Sequence, residues 1–417
     1  MKREIMSHLH EQRLLSPKQY GFISGRSTIT QLLMYLDKCM KTIVDGGVVD
    51  CIYMDFSKAF DSVPHRRLIG KLESYGIKGK MLNWIRSFLN DRSQVVRVNN
   101  DESSVAPVLS GIPQGSVLGP ILFIVYINDL LDSLNSDGLL FADDAKIFTH
   151  ITSKEDALKL QADIDLLEDW SKQWLLKFNP DKCHVLTLGK FENTRHTERY
   201  RIYGNELEHV FEEKDLGVTI DSELTFDDHI CLKVKKANMM VGLIRRSFSF
   251  LSCNLFKMLY TAFVRPHLEY GQAIWSPHLK KHITLIENVQ IRATKLVDGL
   301  SNLDYSERLK RLDLPTLAYR RARGDLIEVY KHFHTYDSAT LPSTFNPKTR
   351  SSRKHSYQLY EPRPRDGTRG IQSNSFYYRT ARTWNSLPKE VINAVNINRF
   401  KNLLDDHWKD EDFKFNS

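Results

Sequence analysis

The chain has 417 residues, 41% of them hydrophobic, enough for one large multi-part domain or two to three ordinary ones. No apolar run approaches the ~18 residues that a membrane-spanning helix needs, and the first residues lack the apolar core of a secretory signal. A formal charge of +8 favours an anionic partner, while five scattered cysteines without a C-x-x-C pair point to a reducing compartment and away from zinc.

In chain order, the first 45 residues read as helix, a turn at "SPKQYGFISGRST", and helix again from Thr28. "VVDCIYMDF" is an apolar, β-branched run that predicts a buried strand ending at Asp55. Two stretches with helical spacing follow, "HRRLIGKLESYGI" and "KGKMLNWIRSFLNDR". "SQVVRVNN" and "SSVAPVLSGIPQGS" predict a strand pair closed by "NNDES". A helix is expected from Gly119-Pro120, then a strand–turn–strand at "LLFADDAKIF" and a long amphipathic helix over "SKEDALKLQADIDLLEDWSKQWLLKF". "NPDKC" ends that helix, and "HVLTLG" is a further strand. This order predicts an α+β arrangement around one sheet. Beyond residue 230 the pattern is helical, and a Pro/Ser/Arg-rich stretch from 336 precedes one or two short helices.

Carboxylates stand at two strand ends, Asp55 and the pair Asp143-Asp144. If neighbouring strands bring them together, they shift one another's pKa strongly unless divalent cations neutralise them. Hard oxygen ligands of this kind suit Mg²⁺, and two ions about 4 Å apart can activate a 3′-hydroxyl and stabilise a departing pyrophosphate. Taken alone, Asp143-Asp144 reads equally well as a tight turn, where Asp is common. "SGIPQGSVLGPILFIVYINDL" adds a Gly-rich turn that permits close backbone approach to a ligand, with Gln114 as its only long polar side chain. Phe60, five residues after Asp55, can flank the same site or serve as an ordinary core aromatic.

"YMDFSKAFDSVPHRRL", "LSGIPQGSVLGPILFIVYINDL", "LLFADDAKIF", "WLLKFNPDKCHVL" and "DLGVTIDSELTFDDHI" resemble successive motifs of reverse transcriptases, most of all those of non-LTR (LINE-type, jockey/CR1-like) retrotransposons. "QYGFISGRST" resembles their upstream fingers motif, and "LYTAFVRPHLEYGQAIWSP" and "RTARTWNSLPKEV" extend the likeness over nearly the whole chain.

The resemblance implies a right-hand polymerase: partial fingers over 1–50, a palm with an antiparallel sheet over 51–230, a helical thumb over 231–335, and a basic carboxy-terminal extension over 336–417. It implies catalytic and metal-binding roles for Asp55, Asp143 and Asp144, a metal-facing carbonyl on Phe56, and a proton donor to pyrophosphate in Lys182. Phe60 is then the bulky side chain that excludes a 2′-hydroxyl, and Gln114 and Gly115 lie under the nascent base pair. Arg26 is a basic fingers residue near template or nucleotide. Leu216 and Gly217, in "DLGVTID", fall in the primer grip. Two Mg²⁺ ions (with Mn²⁺ as a substitute), an RNA template, a DNA primer or target and dNTPs are the implied cofactors and partners. Action inside the cell follows, in the nucleus or in a cytoplasmic ribonucleoprotein.

Asp61 and Asp129 are expected to support the fold, and His65, His184, His229 and the His278/His282 pair show no metal-ligand spacing. Residues 231–335 hold 18 Lys/Arg against 8 Asp/Glu, which suits tracking of duplex phosphates, with Lys233, Lys235 and Lys236 as the leading contacts. Residues 348–382 hold nine Lys/Arg, with Tyr357, Tyr360, Tyr377 and Tyr378 interleaved, a composition that fits single-strand binding or a basic linker. The chain begins shortly before "QYGF", so the rest of the fingers and an amino-terminal endonuclease are expected to lie outside it. A catalytically impaired nucleic-acid-binding remnant is the alternative. A nucleotide cyclase is disfavoured because it has no template or primer to hold.

Overall fold

A computed structural model describes residues 1–189, 199–337, 357–361 and 371–416. They form two compact units, one from residues 1–31 with 45–211, the other from 32–44 with 212–417.

The first unit is built on a five-stranded sheet. β1 (Val48–Met54) lies between β3 (Asp144–Ile151) and β4 (His184–Leu188), antiparallel to both. β2 (Asp137–Phe141) pairs with β3 as a hairpin, and β5 (Glu208–Val210) adds a parallel edge to β4. The order is therefore β5-β4-β1-β3-β2. β1 is apolar nearly throughout because its central place buries both faces. Its one acid, Asp50, is buried and accepts hydrogen bonds from Thr187 Oγ1 and Tyr200 Oη, each at 2.7 Å. That pairing offsets the desolvation of a charge.

The helix Gly119–Tyr126 starts with Pro120 in its first turn, where no N–H is missed, and buries every side chain from Ile121 to Tyr126. At about 1.5–3 kcal/mol per buried large apolar side chain, this helix is a principal anchor of the unit. The helix Lys154–Trp174 opens with a capping box between Ser153 and Asp156. It buries Ala157, Leu160, Ile164 and Leu167 at helical spacing. Asp163 on the same face is fully buried and accepts from the Asn135 and Ser136 amides at 3.1 and 2.7 Å. The predicted strand pair after Leu89 is reduced to two short ladders, Ser93–Gln94 with Ala106–Pro107 and Arg97–Val98 with Asp101–Glu102, all exposed.

The second unit takes residues 32–44 of the helix Thr28–Val44, then the hairpin β6 (Glu212–Asp215) and β7 (Val218–Asp221), followed by the helices Asp227–Ser247, Lys280–Thr294 and Leu317–His334. A single π turn over Tyr260–Val264 precedes Pro266, a residue that cannot donate to the helical ladder. The residues after 370 are not an appendage to this unit. Trp384 and Phe400, from the helices Phe376–Ser386 and Ile397–His407, are fully buried. Arg379 grips Asp325 with two nitrogens at 2.9 and 3.1 Å, and Arg323 grips Asp405 likewise at 2.5 and 2.7 Å. Much of the basic 348–382 stretch, residues 348–356 and 362–370, lies outside the described residues.

Candidate active site

The β2–β3 hairpin closes on the pair Phe141 and Asp144, leaving Ala142 and Asp143 as a two-residue turn. Ala142 takes φ 53°, the left-handed conformation that lets such a turn follow the twist of its strands. On the other side of β3, Met54 pairs with Ala145. One further step along that register brings Asp55 level with Asp144 and beside Asp143. Asp55 and Asp143 are half-buried, and Asp144 is exposed. Burial, reinforced by the negative charge of Asp55 and opposed by a backbone hydrogen bond, holds the Asp143 carboxyl above its ordinary value.

Asp55 is held from its other flank by the segment after the long helix. The Ser57 amide donates to Lys177 O and the Asn179 amide to Asp55 O, both at 2.8 Å, and the Phe56 and Phe178 rings stack at 4.4 Å. This bridge runs through the neighbours of Phe56 and does not use its carbonyl. Lys182 ends a single 3₁₀ turn, Pro180–Lys182, which Asn179 caps by accepting from the Asp181 amide. Its ammonium stands 3.0 Å from Asp55 Oδ2, and that hydrogen bond, with the charge attraction, raises its pKa. Cys183 beside it is buried, which pushes its thiol up to about 11, so it is no nucleophile at neutral pH.

The oxygen donors fit a hard divalent cation, the carboxylates of Asp55 and Asp143 and the Phe56 carbonyl left outside the bridge, and Lys182 is a competing cation on Asp55 that a metal would have to displace or share with. Among the described residues, no three His, Cys, Asp or Glu side chains form a preformed metal cage.

Phe60 lies on the short helix Ala59–Ser62, half-buried, with its ring stacked on Phe123 at 4.4 Å. Four hydrogen bonds stitch this helix to the glycine-rich loop. Ile112 N donates to Phe60 O at 2.8 Å, Gly111 N to Val63 O and Ser110 Oγ to Asp61 O at 2.9 Å, and Gln114 Nε2 to Asp61 Oδ1 at 3.0 Å. Gly111 has φ 89°, and a Cβ there would stand 2.8 Å from Asp61 O. Gly115 has φ 75° with open space around it, so conformation alone asks for glycine. A cavity of about 480 Å³ beside the loop is lined by Asp61, Arg92, Ser110 and Gln114 among others.

Arg26, expected near template or nucleotide, is engaged by its own segment. Its Nη1 donates to the carbonyls of Ser16, Pro17 and Gln19, within its own segment. Asp129 accepts from Trp170 Nε1 at 3.0 Å and pairs with Lys71. Sequence reading missed that lysine, which is buried over the Trp174 ring at 3.9 Å, its pKa lowered first by burial. Only its place among buried apolar neighbours on the helix His65–Ser74 hinted at this.

In the second unit, Leu216 (φ 46°) and Gly217 (φ 85°) form the two-residue turn of the β6–β7 hairpin. Both their carbonyls are taken: Tyr270 Oη donates to Leu216 O at 2.7 Å and Lys233 Nζ to Gly217 O at 3.0 Å. Lys233 therefore holds the turn, whereas Lys235 and Lys236 are exposed. Tyr270 was not foreseen, although it sits in the "HLEYG" stretch.

The histidines do structural work. His65 Nε2 lies 2.8 Å from Gly111 O, and His184 sits within β4 opposite Tyr53. Buried His229 accepts the Thr219 amide at Nδ1, and burial pushes its pKa down to about 3. His282 faces Asp227 at 3.3 Å.

A family model described as "Reverse transcriptase (RNA-dependent DNA polymerase)" matches residues 1–254. A probable RNA-directed DNA polymerase from transposon BS of Drosophila melanogaster is 30% identical over 310 residues, 69% of this chain and 33% of the relative. The RNA-directed DNA polymerase from mobile element jockey of the same fly is 27% identical over 319 residues, 71% and 34%. The chain thus spans about a third of the length of these curated relatives. Among solved structures, apo telomerase from Candida tropicalis aligns with a TM-score of 0.43 at 10% identity, over 74% of this chain and 53% of that one.

Proposed function

The chain belongs to the reverse transcriptase (RNA-dependent DNA polymerase) family, and on that premise we propose that it is the polymerase of a non-LTR retrotransposon, extending a DNA primer on an RNA template with dNTPs. The observation that carries this reading is the meeting of Asp55 and Asp143 on adjacent strands, with Lys182 against Asp55.

Reverse transcriptases use divalent metal ions. Two Mg²⁺, or Mn²⁺ in their place, would be held by Asp55, Asp143, Asp144 and the Phe56 carbonyl, and when bound would supply activation of the 3′-hydroxyl and charge stabilisation at the leaving group. Lys182 keeps its proton at Nζ and is the group that hands it to the departing pyrophosphate oxygen. The Phe60 ring, fixed against Phe123, excludes a ribose 2′-hydroxyl. Gln114 and Gly115 support the nascent base pair, the Leu216-Gly217 turn holds the primer end, and Lys235 and Lys236 meet backbone phosphates.

In this reading residues 1–50 are partial fingers, 51–230 the palm and 231–335 the thumb, with 336–417 as its carboxy-terminal extension. The protein works in the nucleus or in a cytoplasmic ribonucleoprotein. No helix among the described residues is long and apolar enough to cross a membrane.

The test is extension of a DNA primer annealed to RNA by the purified chain with dNTPs and Mg²⁺. Extension is expected from the wild type and none from Asp143→Asn, with RNA binding retained in both. Extension that survives Asp143→Asn refutes the metal-site assignment. Salt-sensitive RNA binding without incorporation by the wild type would point instead to a binding remnant.

A further inference from the structure

We propose that Gln19 is a positioning residue for the turn that carries Asp143, and that residues 16–26 act as a brace for that turn. The geometry stands by itself; the catalytic consequence rests on the polymerase reading above.

Gln19 is only 1% exposed. Its side-chain oxygen accepts two backbone amides, Gly21 N at 2.7 Å and Ala142 N at 2.9 Å, which uses both of its lone pairs. Its Nε2 faces Ala142 O at 3.5 Å. The one side chain thus addresses both polar groups of Ala142, the residue that enters the left-handed region and precedes Asp143 in sequence. An L-residue resists that conformation, so the turn needs an outside partner to hold it.

The backbone of the same segment runs along the free edge of β2. Leu140 N donates to Lys18 O at 2.9 Å and Tyr20 N to Leu140 O at 2.8 Å, a parallel bridge centred on Gln19 and Leu140. Gly21 comes so close to the turn that a Cβ there would stand 2.3 Å from Ala142 N.

Behind Gln19 the segment is itself anchored. Arg26 clamps the carbonyls of Ser16, Pro17 and Gln19. Asn128 accepts the Ser16 amide at 2.9 Å and donates to Leu14 O at 2.7 Å, while Lys18 Nζ donates to Leu131 O at 2.7 Å. A chain of hydrogen bonds therefore runs from Asn128 and Arg26 through Gln19 to the peptide next to Asp143. In this assignment Arg26 serves catalysis by holding the brace and does not touch the nucleotide.

A buried glutamine that merely fills the fold would change stability throughout the unit, whereas a positioning residue changes the turn and the metal requirement first. The experiment compares wild type, Gln19→Leu, which removes the acceptor, and Gln19→Glu, which keeps an oxygen facing both amides. Backbone hydrogen exchange is followed at Ala142 and, as a control, along β1. Steady-state primer extension is titrated with Mg²⁺. In Gln19→Leu the Ala142 amide is expected to exchange at least tenfold faster while β1 is unchanged. Half-saturating Mg²⁺ should rise at least tenfold and kcat should fall, with KM for the primer–template unchanged. Gln19→Glu should keep the protection of Ala142.

Unchanged exchange at Ala142 overturns the proposal, as does faster exchange with the Mg²⁺ requirement and kcat of the wild type. Equal acceleration along β1 also overturns it, since that marks a general fold residue. If the leucine variant does not fold, Gln19→Asn, polar but one methylene short of Ala142, carries the same comparison. A wild type that extends no primer with Mg²⁺ or Mn²⁺ would sink the polymerase reading, and the exchange measurement would still decide the brace.

Discussion

Replacing Gly21 by alanine adds one methyl group where its segment presses on the turn before Asp143. The new Cβ would stand 2.3 Å from Ala142 N and 3.0 Å from both Ala142 Cα and Phe141 C. All three are main-chain atoms of a hairpin turn, so no side chain can swing aside, and the two segments must part by about 1 Å to reach ordinary contact. Overpacking of this kind costs about 1–3 kcal/mol. Gly21 does not occupy the left-handed region, so alanine also gains about 0.4–1 kcal/mol by restricting the unfolded chain. The steric cost wins. For a unit of about 200 residues, each kcal/mol lowers Tm by about 2–4 °C, so a fall of a few degrees is expected. The larger effect is on chemistry, because the displaced atoms adjoin Asp143 and a misplacement of about 1 Å costs about 100-fold in rate. Circular dichroism melting and steady-state primer extension measure the two effects. A Gly21→Ala protein with wild-type Tm and extension within twofold of wild type would refute the argument that this contact sets the turn.

Asp143→Asn should abolish extension yet raise Tm in metal-free buffer at pH 7. The folded carboxyl titrates above its unfolded value, so its charged form opposes folding at neutral pH, and the gain from removing it should shrink as pH falls into the ordinary carboxylate range. In His229→Leu the Thr219 amide loses its acceptor, at a cost of about 1–3 kcal/mol in denaturant unfolding at pH 7. The wild type should lose stability as pH falls from 6.5 toward about 3, since the unfolded chain binds that proton first, and the variant should lack this slope. Lys235→Met or Lys236→Met should lower the salt dependence of duplex binding by about 0.7–0.9 in log–log slope. Lys233→Met should leave that slope intact and raise KM for the primer, because its ammonium is committed to Gly217 O. Phe60→Ala should admit ribonucleotides, read as a fall in the dNTP-to-rNTP preference of single-nucleotide incorporation.

Local chemistry made much of the fold and the site legible. The apolar run ending at Asp55, the strand–turn–strand around Asp143 and the amphipathic stretch from Ser153 are patterns that play out within a few residues, although the helix ends at Trp174, with Leu175 left-handed, four residues short of the expected Phe178. The hairpin turn at Leu216-Gly217 came only with the structure, where two residues between short strands both take positive φ. Carboxylates at strand ends were enough to single out Asp55 and Asp143, which the register of β1 and β3 brings beside one another.

What remained hidden depended on partners far away in the chain. Gln19 meets Ala142 across 123 positions, and nothing in "SPKQYGF" says that its amide will cap that turn. Lys233 reads as one basic residue among three until Gly217 O is found within its reach. Arg26 reads as a basic fingers residue near template or nucleotide, and its hydrogen bonds to three carbonyls of its own segment appear only in the fold. One or two short helices are expected after residue 370, but nothing in the sequence says that Asp325 and Arg323 will pair with Arg379 and Asp405 on them.

The sequence by itself therefore determined the family and most of the element types, and it named the candidate site residues, because hydrophobic period, turn chemistry and short motifs are written in neighbouring residues. Only the tertiary structure decided which polar side chains face the chemistry and which are consumed in holding it. A hydrogen-bond donor has no assignment until packing chooses its acceptor, and in this protein Gln19 and Arg26, beside the turn that carries Asp143, are committed to backbone carbonyls and amides.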